Sequence, residues 1–298
     1  MSSLDPKLPP ELEKEIFEVA AYHLPATIPA MMLTAWRVKV WVEPILFRVV
    51  LLVDPSNNIN DHHGLNQRNT YPLPDDSNLS RISSTPPTVL RDSVHHLYLD
   101  RVSHDVAELV LSSCQNVHDL WLYLWDYSSV LDFVGSLPLR RLYCCLEDLF
   151  QSEDVDFTHP IFAQLTHLEL FPAAIPTQAV CNGLALIPNL THLAVTDQDF
   201  LEFIPDLLQS CKSLRVVILL AENPLDLPEL EEHQIHERLV LMPCKYYTKD
   251  WHMSALVGWD YWARAEEFIA RRRSGVVERT QFVIPEDGTM SLRMPGEL

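Results

Sequence analysis

The phrase Leu165-Thr-His-Leu168-Glu-Leu170 returns 25 positions later as Leu190-Thr-His-Leu193-Ala-Val195. Few folds are open to a chain that repeats an apolar-x-x-apolar-x-apolar phrase at near-constant intervals. Four further copies match: Val94-His-His-Leu97-Tyr-Leu99, Val117-His-Asp-Leu120-Trp-Leu122, Leu139-Arg-Arg-Leu142-Tyr-Cys144 and Leu214-Arg-Val-Val217-Ile-Leu219. A seventh, His236-Glu-Arg-Leu239-Val-Leu241, is degenerate in its first position. The intervals from first to last are 23, 22, 26, 25, 24 and 22 residues. Alternation within each copy predicts a strand with one apolar face. Between copies, "DVAELVLSSCQN", "SSVLDFVGSLP", "TQAVCNGLALIPN" and "FLEFIPDLLQSCKS" carry apolar residues at helical spacing. Cys114, Phe162, Ile187 and Cys211 each stand three residues before the next copy, a common phase that predicts one buried column. One such unit cannot bury its own apolar face, whereas stacked units can.

Phrase and period together resemble leucine-rich repeats, whose units run roughly 20–29 residues. The resemblance covers residues 94 to about 245 and implies an α/β solenoid, with parallel strands on the concave side and helices on the convex side. The leucines of each phrase then point inward and the interleaved residues face the concave surface. On that surface Tyr98, Asp119, Trp121, Tyr123, Arg141, Tyr143, His167, Glu169 and Phe171 form the candidate target-binding set, because aromatics and arginine among polar neighbours make interaction hot spots. His167 and His192 are expected side by side, and Cys145 is expected on the same surface. Val216, Ile218 and Leu220 occupy these columns in the sixth unit and should not be left in water. The C-terminal segment, through Trp251, Trp259 or Trp262, is expected to cover them and leave the first five units open.

Ahead of the repeats stands "LPPELEKEIFEVAAYHLPATIPAMMLTAWRVKVWVEPILFRVV". Pro10, Glu11 and Glu13 suit a first helical turn, and Leu12, Ile16, Val19 and Ala20 form an apolar stripe. A second helix is expected from about Ala30 to Val42, ended by Pro44. Leu8-Pro9 with Glu11, the Ile16-Phe17 pair and the Trp41-Val-Glu43-Pro44 string resemble the F-box, in particular fungal F-box-like proteins. That resemblance implies a subunit of an SCF-type ubiquitin ligase that docks on a Skp1-like adaptor through Leu8, Pro9, Leu12, Ile16, Phe17 and Trp41. It would recruit a target protein through the concave face. The alternative from the residues alone is a repeat scaffold whose N-terminal helices only cap the array, with no ligase role.

The expected division is a helical module over 1–53, a linker over 54–90, repeats over 91–249, and a capping helix and tail over 250–298. The linker, rich in Asn, Asp, Ser and Pro, allows at most a short helix near Leu79–Ser83. Its His62-His63 pair lacks a third metal ligand. In the tail, Asp250 is a candidate N-cap of one helix that ends in Arg271, Arg272 and Arg273, a weak nuclear signal, and "ERTQFVIP" is a candidate last strand.

Composition closes other routes. The seven glycines form no phosphate-binding loop and no nucleophile elbow. The six cysteines have no zinc spacing and are read as reduced thiols. A formal net charge of -19 disfavours nucleic acid and anionic membranes as partners. No membrane-length apolar run exists, and the polar start is unlike a secretory signal, so a cytoplasmic or nuclear protein is expected. No cofactor, metal or catalytic set is expected, and the chain is read as an interaction protein rather than an enzyme.

Overall fold

The computed structural model describes residues 8–54, 82, 85–171 and 178–285. His62-His63 and nearly all of the 79–83 segment lie outside them. Three helices come first: α1 (Pro10–His23), α2 (Ile28–Met32) and α3 (Trp36–Leu46). Proline occupies the first position of α1, where its missing N–H costs no hydrogen bond. The single helix expected from Ala30 to Val42 is instead broken at 33–35. Pro44 lies inside the last turn of α3 rather than ending it, since only one intrahelical bond is lost there. Ala21, Ile28, Val38, Val42 and Leu46 make a small core of their own, with Phe17 and Trp41 packed against it.

The rest is α/β, built on a single sheet of eight parallel strands in strict sequence order. They are β1 (Val49–Val53), β2 (His96–Asp100), β3 (Asp119–Tyr123), β4 (Arg141–Cys144), β5 (His167–Leu170), β6 (His192–Val195), β7 (Val216–Ala221) and β8 (Leu239–Pro243). The seven phrases occupy β2 to β8. Their register is the one the sequence implies, with Leu97 opposite Leu120, Leu142 opposite Leu168, and Leu193 opposite Val217. β1 was not anticipated. Phe47, Val50 and Leu52 form a divergent copy of the phrase, and Val50 and Leu52 pair with Leu97 and Leu99. The strand therefore belongs to the sheet and not to the N-terminal module.

Parallel neighbours require crossovers. Among the described residues these include α4 (Pro87–Ser93), α5 (His104–Ser113), α6 (Val130–Val134), α7 (Leu146–Phe150), α8 (Gln178–Leu184) and α9 (Ile204–Ser210). α4 falls mostly within the stretch read as linker. These helices share one continuous core with the leucine face of the sheet. Cys114, Phe162, Ile187 and Cys211 are all buried in it.

The repeated Leu-Thr-His-Leu phrase has a local explanation. The carbonyl just before each of β1 to β6 accepts two N–H groups from the next unit. Arg140 O takes Thr166 N and His167 N at 2.9 and 3.0 Å, and Thr166 O takes Thr191 N and His192 N at 2.9 and 3.0 Å. The threonine hydroxyls reinforce this, Thr166 on Arg140 O and Thr191 on Thr166 O. The two histidine rings then stack 4.0 Å apart.

The other face of the sheet is the main correction. It is not an open surface, because two C-terminal helices cover it: α10 (Tyr247–Val257) and α11 (Tyr261–Ser274). Val216, Ile218 and Leu220 are buried beneath them as expected, with Trp251 and Trp262 in the same core. Trp259 takes no part in it. The cover extends much further along the sheet than expected. Tyr98, Asp119, Trp121, Tyr143 and Glu169 are all buried, between 0% and 8% exposed. Tyr98, Asp119, Tyr143 and Glu169 each have a partner 92 to 150 residues away, in Thr248, Trp251, Trp262 and Tyr261, which local reading of the chain does not bring to them; Asp119 also meets the nearer His96.

The single expected helix is two. Gly258, at φ 71°, ends α10 in the left-handed region that favours glycine. Asp260 then caps α11 by accepting from Ala263 N at 2.8 Å. Asp250 does not cap α10. It accepts from Tyr261 N at 2.6 Å and from Arg264 at 2.5 Å, joining the two helices. The three arginines do not form an exposed run, since Arg272 is buried and donates to three backbone carbonyls. The "ERTQFVIP" segment adds a single bridge, Val283 to Leu241, rather than a full strand. Among the described residues, no helix is long and apolar enough to cross a membrane.

Candidate functional site

The closed face is fastened by directional bonds. Trp251 Nε1 donates to Asp119 Oδ1 at 3.0 Å, and Tyr98 and Thr248 hydroxyls meet at 2.9 Å. Trp262 Nε1 donates to the Tyr143 hydroxyl at 3.1 Å. Arg141 donates to Ser254 at 2.6 Å and to Asp260 at 2.8 Å. Tyr261 donates to Glu169 Oε2 at 2.5 Å. Tyr98, Trp121 and Tyr143 stack in a row under this cover, 5.1 and 5.4 Å apart. Residues expected to meet a target therefore meet the chain's own C-terminal helices.

His167 and His192 stand side by side as expected, but with Glu169 they form no acid–base relay. His167 Nδ1 faces the Thr166 hydroxyl, His192 Nε2 faces Glu266, and Glu169 is held by Tyr261. Burial holds His167 down at about 2, so it is neutral. Cys145 lies at the N-cap of α7, where its sulfur accepts from Asp148 N. Burial pushes its thiol up to about 12, far from a reactive thiolate. All six cysteines are unpaired and buried. Among the described residues no cluster of three metal-ligating side chains exists.

Two open surfaces stand out among the described residues. The first is a cleft of about 790 Å³ just beyond the carboxyl ends of β2, β3, β5, β6 and β7. Open parallel α/β sheets bind ligands at this edge, and the volume suits a small ligand or a side chain. Of the expected target-binding residues, Tyr123 and Phe171 reach it with partial exposure. Trp121 supplies a wall, 4.8 Å from Phe171 and 6.5 Å from Tyr247 of α10. Arg101 stands at the rim in a left-handed conformation, φ 56°, paired with Asp100 at 3.0 Å and over the Tyr123 ring. Glu169 lies at the back, fully buried, and its Oε1 has no hydrogen-bond partner. Burial raises its carboxyl to about 8, against the lowering bond from Tyr261. The buried Thr196 hydroxyl oxygen, also in the lining, is likewise unpartnered. Thr196, Tyr247, Thr248 and Arg101 were not singled out from sequence. The rule for carboxyl-edge sites points to the residues just after each phrase, which is where Thr196 and Arg101 stand.

The second open surface is on the N-terminal helices. Nine of the nineteen large apolar side chains exposed among the described residues fall between Leu8 and Val40. Leu8, Leu12 and Ile16 are 45%, 48% and 55% exposed, and Leu33, Trp36 and Val40 are 88%, 75% and 52% exposed. Pro9 is exposed, while Phe17 and Trp41 are half-buried against the small core. A bidentate ion pair, Arg37 with Glu13 at 2.8 and 3.0 Å, holds α1 beside α3. No protein-family model and no curated protein matches the chain.

Proposed function

We propose that the chain is a protein-interaction adaptor: a leucine-rich-repeat solenoid carrying an F-box-like module that docks on a Skp1-like subunit of a ubiquitin ligase. The carrying observation is the concentration of exposed apolar side chains on α1 and on the 33–40 stretch. Singly exposed leucines are ordinary, but a set concentrated on one small module marks an interaction surface. The repeat reading is supported by eight strands in chain order, with the phrases of β2 to β8 at 22–26 residue intervals and in register. With the interleaved face closed, the target-binding role passes to surfaces such as the strand-end cleft, and no catalytic role is assigned. The chain is read as a cytoplasmic or nuclear protein.

A cap without ligase function is the second reading, and one residue favours it. Phe47 packs against both the small N-terminal core and the sheet's main core, which supports a module that seals the first strand. Sealing leaves the outward side chains of α1 unexplained, whereas docking uses them. Co-purification with a Skp1-like protein tests the proposal. Wild type should bind at micromolar concentration, and Ile16→Asp should abolish binding with the melting temperature unchanged, since Ile16 is 55% exposed. Wild type that fails to bind at that concentration would leave the cap reading.

A further inference from the structure

We infer that the strand-end cleft is a binding site for an organic cation on an apolar stem, an ammonium or a guanidinium group, with Glu169 as its buried counter-charge. The site stands independently of what the N-terminal helices bind.

Three observations carry this. First, the described lining is acidic: Asp100 and Arg101 pair with each other, which leaves Asp197, Glu222 and Asp226 with Glu169 against Lys245. Second, Trp121, Tyr123, Phe171 and Tyr247 supply aromatic surface beside the carboxylates, which attracts cations through the ring quadrupole. The protein shows the combination on itself, with the Arg101 guanidinium held between the Asp100 carboxylate and the Tyr123 ring. Third, Glu169 is 0% exposed, lines the cleft, and has one oxygen satisfied by Tyr261 and the other by nothing. A buried carboxyl oxygen without a partner is costly to keep unless something supplies a donor. A cationic donor entering the cleft would supply both the hydrogen bond and the charge.

Glu169 also gives the site a signature. At about 8 its carboxyl is mostly protonated in neutral solution, so a cation must displace the proton in order to pair with it. The groups facing it stay silent in that range. Burial raises the Tyr98, Tyr247 and Tyr261 hydroxyls and the Cys244 thiol, and Asp250, pushed up to about 6, has largely ionised by pH 7. Binding should therefore release a proton and strengthen as pH rises toward 8.

The experiment is calorimetric titration of the full chain with three probes: the N-acetyl methylamides of lysine, arginine and norleucine. Norleucine keeps the stem and lacks the charge. Each is measured at pH 7.0 and 8.5, in two buffers of different ionisation enthalpy. We expect a cationic probe to bind at least about tenfold tighter than norleucine. Its affinity should rise at least about fivefold between the two pH values, with proton release. Glu169→Gln, which keeps shape and the acceptor for Tyr261, should remove the cation preference and the pH dependence together. Tyr247→Ala, at the rim, should weaken the cationic probes while leaving Glu169 in place. A pentapeptide with a central arginine separates a polypeptide source from a free amine: tighter binding than the capped residue points to a protein segment, equal binding to a small amine. Either result supports a cation site. Equal affinity for norleucine and lysine, pH-independent binding, or no binding of any probe at 10-millimolar concentration, on the order of the weakest useful affinities, would overturn the inference.

Discussion

The two faces of the eight-stranded sheet are held in different ways. The leucine face meets the crossover helices through apolar contact, with Leu97, Leu120, Leu142, Leu168 and Leu193 all 0% exposed. The interleaved face meets α10 and α11 through aromatic stacking and at least five long-range hydrogen bonds among polar side chains. Burial of area is tolerant of register and partner, whereas buried polar groups tolerate only the partner that satisfies them. The first face defines that there is a sheet. The second defines which segment closes it.

Four changes would break or sharpen this contrast. Deleting the chain from residue 247 onward should have the largest effect. It bares an entire apolar and aromatic face, whose loss exceeds the roughly 5–15 kcal/mol by which domains are stable. The truncated chain should aggregate or lose its cooperative melting transition, and an unchanged monomeric transition would mean that the face tolerates water. Next, Leu120→Ala and Trp251→Phe compare the faces directly by denaturant unfolding. The leucine change leaves a cavity and should cost about 2–5 kcal/mol. The tryptophan change keeps most of the volume but strips Asp119 Oδ1 of its indole donor, and should cost about 1–3 kcal/mol for the unsatisfied buried oxygen. Equal and negligible costs would dissolve the distinction.

The last change is read as a slope against pH. Glu169 rises from an ordinary value near 4.5 to about 8 in the folded chain. Between those values the folded state holds a proton that the unfolded state has released, so this group's contribution to stability falls as pH rises across that window. Glu169→Gln lacks this contribution. It should gain on the wild type between pH 5 and 8.5, by up to about 1.4 kcal/mol per pH unit at the steepest point. Parallel stability profiles for the two proteins would place Glu169 in a wetter environment than the cleft provides.

The leucine face was legible because its signal is local: three apolar positions in six, repeated, announce a strand and a side. Even the missed first strand carries the signal once Phe47 is allowed in the first position. The burial of Val216, Ile218 and Leu220 was legible for the same reason, as three aliphatic residues need a cover. The rest of that face was not. Asp119, Arg141 and Glu169 look like surface residues until Trp251, Asp260 and Tyr261 are brought to them, and no spacing rule connects positions so far apart. The tail held a clue in its density of aromatics beside Asp250 and Asp260, which suits a partner that is itself polar and aromatic. The cleft was illegible because it arises where five strand ends meet α10, and a column-by-column reading stops at the last residue of each strand.

The central claim is that the chain closes its own interleaved face and leaves its apolar contact surface on the N-terminal helices. Hydroxyl-radical footprinting of the tryptophans tests both halves in one measurement. Trp36 and Trp125, 75% and 71% exposed, should oxidise rapidly. Trp121, Trp251 and Trp262, at 8%, 1% and 2%, should be protected until the chain unfolds. Oxidation of Trp121 and Trp251 as fast as that of Trp125 would mean that the face is open, and protection of Trp36 in the isolated chain would mean that the N-terminal surface is already occupied.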